Sequence, residues 1–266
     1  MDIVRPPSSG YLPSTVHGKS SLNSPAGRTR GQAFTLIELL VVVAVMVVMM
    51  KFAAPAFTAI NSGQGVTKTA QDISGALEFA RAYAMGNNTY VWVGFFEEDP
   101  TRAAGTSGSG RVVISMVGSI DGTQVYSSSA TNPPVLNPAS LTQIAKLLKC
   151  NSTHLDVLPA TAMTRPAIST AAPNNYQVGD PSFSQRNGTT NATTFNYPLA
   201  GKATYTFNKI IQFSPLGDTT KIVAAPTQLM EIGLRPAHGN APDANSKNLV
   251  AIQISGIGGH VEVYRP

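Results

Sequence analysis

Residues 33–60 read AFTLIELLVVVAVMVVMMKFAAPAFTAI, and the character of the whole chain turns on them. From Leu36 to Ile60 only Glu38, Lys51, Pro55 and Thr58 interrupt an apolar run, and Leu39 to Met50 carries no polar side chain. An α-helix needs about 20 such residues to cross the hydrocarbon of a bilayer. It also satisfies its own backbone donors and acceptors, as lipid requires. Residues 34–60 therefore read as a transmembrane segment.

A secretory signal peptide would have a shorter apolar core followed by a small-residue cleavage site. Here the small residues of Ala54-Pro55-Ala56 are split by a proline. A plain signal anchor fits the length but gives Glu38 no purpose. An acid at membrane depth costs roughly 2.5–3.5 kcal/mol on insertion scales, so it marks a functional position whose partner is a cation.

Phe34-Thr35-Leu36-Ile37-Glu38-Leu39-Leu40-Val41 resembles the cleavage and methylation motif of type IV prepilins and type II secretion pseudopilins. The resemblance implies that a prepilin peptidase cuts between Ala33 and Phe34 and that the new amine of Phe34 is N-methylated. It implies that Glu38, fifth after the cut, pairs with the α-ammonium of a neighbouring subunit, so that two groups costly alone in lipid become tolerable together. Pro55 matches the proline that this family carries at the twenty-second mature position, where loss of one helix hydrogen bond permits a kink. Ala33 departs from the family's usual glycine, which occurs here two residues earlier as Gly31.

The charge agrees with that orientation. Residues 1–33 hold Arg5, Lys19, Arg28 and Arg30 against Asp2, so the leader carries +3 of a net +5. Basic residues before an apolar span hold that end in the cytoplasm. No Lys/Arg cluster lies outside the leader, so no nucleic-acid partner is expected. The single cysteine, Cys150, excludes a disulfide within the chain.

Beyond the span, Asn61-Ser62-Gly63-Gln64-Gly65 reads as a flexible break. Val66, Ile73, Leu77, Ala80 and Ala84 then form one apolar stripe at helical spacing, making 61–88 an amphipathic segment that ends at Gly86-Asn87-Asn88. Arg81 inside it reads as solvated. Strand signals follow at Tyr90 to Phe96, Arg111 to Val117, Tyr205 to Phe213, Gln228 to Leu234 and Leu249 to Ser255. The last turns through Gly256-Ile257-Gly258-Gly259 into a hairpin with His260 to Tyr264. Leu141 to Cys150 reads as a short amphipathic helix. Residues 160–203, rich in Thr, Ala, Asn, Ser and Pro, read as a long, flexible surface excursion.

Leu77-Glu78-Phe79-Ala80-Arg81-Ala82-Tyr83-Ala84 with Val91-Trp92-Val93 is similar to the helix-to-strand passage of GspH/FimT-type minor pseudopilins, and Phe213-Ser214-Pro215-Leu216-Gly217 to their sheet. The ending Val263-Tyr264-Arg265-Pro266 is also similar to that of prepilin-like proteins called Verru_Chthon cassette protein D. The expected fold is α+β and pilin-like: a long N-terminal helix, membrane-spanning in its first half, packed on an antiparallel β-sheet domain over 89–266.

Catalytic patterns fail on spacing. His17, His154, His238 and His260 are scattered, with no His-x-x-x-His pair. Gly18-Lys19-Ser20 ends like a phosphate loop, but Pro13 stands where its first glycine is needed. Asp121, Asp180 and Asp218 read as turn acids without calcium-loop spacing. No enzyme activity, cofactor or metal is expected. The expected role is a structural subunit, a minor pseudopilin of a type II secretion or type IV pilus-like filament. Its partners would be prepilin peptidase, other pilin-like subunits and the inner membrane, with the C-terminal domain periplasmic. The alternative is an unprocessed single-pass protein with a periplasmic ligand- or surface-binding domain.

Overall fold

A computed structural model of the chain describes residues 35–124, 136–169, 175–184, 193–220 and 229–266, with backbone alone for 52–64. Two compact units divide it, residues 1–50 and 51–266. Helix α1 is assigned to Leu36–Gly86. Its backbone remains helical through residues 61–65, where a break is expected. The region contains no proline, and Asn, Ser and Gly each cost a helix only about 1 kcal/mol or less relative to alanine.

The second unit is built of short strands: β1 (Val91–Glu98), β2 (Arg111–Ser119), β3 (Leu141–Gln143), β4 (Leu148–Asn151) and β5 (Thr153–Asp156). After these come β6 (Phe195–Tyr197), β7 (Tyr205–Phe207), β8 (Lys209–Phe213) and β9 (Thr219–Thr220). The last are β10 (Leu229–His238), β11 (Ala241–Pro242), β12 (Val250–Ser255) and β13 (Val261–Tyr264). One sheet has the order β3-β2-β1-β8-β9, with β4 also pairing β2. A second runs β11-β10-β12-β13, with β5 also on β10, and β6-β7 form a ribbon. All these strand pairings are antiparallel.

The expected fold class is corrected by this architecture. The described chain is mostly antiparallel β, in two sheets and a ribbon rather than one sheet under a membrane-spanning helix. Among the described residues no helix is long and apolar enough to cross a membrane.

Three local expectations change as well. Leu141 to Cys150 is not a helix. Its ends are β3 and β4, both hydrogen-bonded along the outer edge of β2, in the registers Val117↔Gln143 and Val112↔Cys150. The long β2 leaves a row of backbone groups open there, and filling it outweighs the local helical spacing. Tyr205 to Phe213 is two strands split at Asn208: Phe207 pairs with Phe195 of the ribbon, while Phe213 pairs with Val91 of the large sheet. The 160–203 stretch is, where described, partly interior. Val178, Phe183 and Phe195 are buried there, because the sheets leave apolar faces that these side chains cover.

Within the second unit, Val66, Ala70, Ile73, Leu77, Ala80 and Ala84 of α1 are buried as a continuous stripe. They belong to one core with Val91, Val93 and Phe95 of β1, Ile232 and Leu234 of β10, and Ile252 and Ile254 of β12. The alternate residue Trp92 enters a second cluster on the other face of the large sheet, with Val113, Val117, Phe207 and Ile210. That period of two places both faces of β1 in apolar surroundings. At the end of α1, Asn88 takes φ 49° and Thr89 N donates to Ala84 O at 3.0 Å, closing the helix in a left-handed cap.

Candidate functional site

The first turn of α1 is set by Thr35. Its hydroxyl accepts a hydrogen bond from Glu38 N at 3.3 Å, and its carbonyl accepts from Glu38 N at 3.1 Å and Leu39 N at 3.2 Å. Thr35 is thus the N-cap and Glu38 the third helical residue, with the Thr-x-x-Glu spacing of a capping box though only the Thr35 half of it is made. The carboxylate also lies at the positive end of the helix dipole. Glu38 therefore has a local reason for its place, which the Thr-x-x-Glu spacing before an apolar run signals. No cation pairs with it among the described residues.

Around and beyond Glu38 the helix is apolar on every side. Leu36, Ile37, Leu39, Leu40, Val41 to Val43 and Val45 to Met50 are exposed. A helix without a polar face has no side suited to water. The two residues at the expected cut, Ala33 and Phe34, lie outside the described residues. So does the side chain of Pro55, whose backbone lies within the helix α1.

The second unit holds three buried or half-buried carboxylates with several hydrogen-bond partners each. Glu231 accepts from Arg165 Nε at 2.6 Å and Arg165 NH2 at 3.0 Å, and from the amides of Gln177 and Gln253 at 3.3 and 2.9 Å. Glu98 accepts from Arg111 at 2.8 Å, from the Tyr205 hydroxyl at 2.9 Å and from Gly105 N at 2.9 Å. Glu97 lies 2.6 Å from His154 Nδ1 and accepts from Leu155 N at 2.9 Å. These are staples between strands and loops, with the bonds that buried charges require. Their members lie far apart in sequence, and local spacing gives no sign of them.

Asp121 accepts from Thr123 N, the Thr123 hydroxyl and the Ser119 hydroxyl, while Asp180 accepts from Ser182 N. Both are turn acids, as their sequence context suggests. Asp218, the third, accepts from the Ser214 hydroxyl within the turn that follows β8. The Thr123 amide, followed by the two hydroxyls, holds the Asp121 carboxyl down at about 2. Cys150 is buried, and loss of solvent pushes its thiol up to about 11, which suits a core residue rather than a nucleophile. His154 sits in β5, His238 at the end of β10 and His260 just before β13. Among the described residues no three His, Cys, Asp or Glu side chains are grouped to hold a metal.

No protein-family model, curated protein or solved structure matches the chain.

Proposed function

We propose that this chain is a prepilin-like structural subunit of a type II secretion or type IV pilus-like filament. The observation that carries this reading is the exposed, all-round apolar start of α1 with Glu38 in its first turn. Such a surface demands an apolar partner, and a lone carboxylate within it demands a cation. A bundle of copies joined by their N-terminal helices provides both, because each new α-ammonium lies where a neighbour's Glu38 needs it. In this reading prepilin peptidase cuts before Phe34, the amine is N-methylated, and the chain is held at the inner membrane with its C-terminal domain, 89–266, on the periplasmic side. The uninterrupted apolar sequence of 39–50 and the basic leader support that placement.

The test is Glu38→Ala in cells that carry the assembly machinery. Membrane retention is expected to persist, since the substitution makes the segment more apolar, while incorporation into filaments is lost. Incorporation equal to the unaltered chain would reject the assembly role and favour a single-pass protein that works alone.

A further inference from the structure

The last turns of α1 separate two surface patches, one centred on an arginine and one on a carboxylate, neither in an ion pair among the described residues. On one flank, the turn after β8 and the turn after β12 touch each other. Thr219 N donates to Gly256 O at 2.8 Å, and a Cβ placed on Gly259 would come within 2.3 Å of Gly217 O. Arg81 and Met85 lie against both turns: a Cβ on Gly217 would meet Met85 Sδ at 2.8 Å, and one on Gly259 would meet Arg81 Cδ at 3.0 Å. The rim is apolar, with Leu216 86% and Ile257 79% exposed. Arg81, which reads as solvated in the sequence, is half-buried, and its Nε is enclosed without a hydrogen-bond partner. No carboxylate pairs with it among the described residues.

Tyr83 points about 200° around the helix from Arg81, at 3.6 residues per turn. On that flank an open groove of about 680 Å³ is lined by Tyr83, Asn87, Asn88, Ile120, Asp121 and Thr142, among others. Ile120 is 63% exposed at its edge. The hydrogen bonds to Asp121 all fall on Oδ1, and no cation pairs with it among the described residues.

We propose that the two patches are the halves of one contact, in which the Arg81 patch of one copy docks on the Asp121 groove of the next. The occupant is a second copy of this chain because each patch supplies what the other lacks: a cation beside two aliphatic tips, and a carboxylate beside an exposed isoleucine in a concave seat. An arginine beside exposed apolar side chains has the make-up of an interface centre, and opposite charges set its register. Since the patches lie on different flanks, the contact is heterologous. It does not close in a pair and propagates into a row. It uses residues 81–259 alone, and so goes beyond the N-terminal reading without depending on it.

The full chain carrying both Ile120→Cys and Leu216→Cys, in detergent or in membranes, is treated with a short bis-maleimide. The expected product is a ladder of dimers, trimers and larger species. Each single variant alone stays monomeric, a mixture of the two gives dimers, and the buried Cys150 leaves the unaltered chain unlinked. Arg81→Glu lowers the ladder at least about tenfold, and adding Asp121→Arg recovers it. No ladder from the double variant, like-with-like dimers from either single, or no recovery by the charge swap would each overturn the contact. Because the ladder forms whether or not the N-terminus is processed, its loss in correctly processed chains counts against this contact alone.

Discussion

Arg165 holds Glu231 through two hydrogen bonds of 2.6 and 3.0 Å, with the two side chains only 4% and 0% exposed. The guanidinium also donates to Leu158 O and Pro159 O, so one side chain ties the segment around 158–165 onto β10. Removing the arginine leaves a buried carboxylate with two amide donors and no counter-charge. Arg165→Met is expected to cost roughly 3–5 kcal/mol, and replacing both partners with apolar residues of similar size far less. Thermal melting of the two variants distinguishes them, and equal melting points would refute a charge-pair staple.

Gly94 sits at the centre of β1, facing the stacked rings of Phe195 and Phe207, whose centroids are 5.1 Å apart. A Cβ there would come 2.6 Å from Phe207 Cβ and 2.7 Å from Phe195 Cζ. Gly94→Ala is therefore expected to destabilise by about 1–3 kcal/mol, as overpacking does. A denaturant midpoint unchanged from the unaltered chain would show that the ribbon yields freely.

Leu77 is fully buried in the α1 stripe, whereas Met85 on the same helix is exposed. Leu77→Ala should cost roughly 2–5 kcal/mol and Met85→Ala within about 0.5 kcal/mol. Urea unfolding of both variants checks the face assignment, which would be reversed if Met85→Ala were the more damaging.

The Asp121 carboxyl titrates at about 2, below its ordinary value of 3.8, because the Thr123 amide and two hydroxyls favour its charged form. A depressed folded value means the stabilisation is complete above about pH 4 and fades as the pH falls towards 2. Asp121→Asn should therefore flatten the acid side of the stability curve between those limits and leave the slope at neutral pH unchanged. An identical acid limb in both proteins would remove Asp121 from the account.

Much of the β structure is legible locally. Val91, Val93 and Phe95 alternate with Trp92 and Phe96, and the Gly-rich turn at 256–259 joins β12 to β13, so period and turn chemistry suffice there. The α1 stripe is legible for the same reason, at a period of 3.6. Leu141 to Cys150 is not, because Leu141, Ala145 and Leu148 mimic helical spacing while the open edge of β2, over 20 residues away, decides the outcome. Arg165 and Glu231 stand 66 residues apart, and no local pattern announces a pair at that distance. At the proposed site Glu38 stands out in the sequence as an acid in an apolar run. The Thr35 hydroxyl, which accepts from the Glu38 backbone N, shows that the same position lies in the first turn of the helix. Arg81 is misread by sequence because its neighbours, the two glycine turns, arrive from the far end of the chain.

The mass of the N-terminal peptide, taken from membranes that contain prepilin peptidase, tests whether Phe34 opens the mature chain and offers its amine to Glu38. A peptide beginning with N-methylated Phe34 is expected. A peptide beginning at an intact Met1 in the same membranes would contradict it.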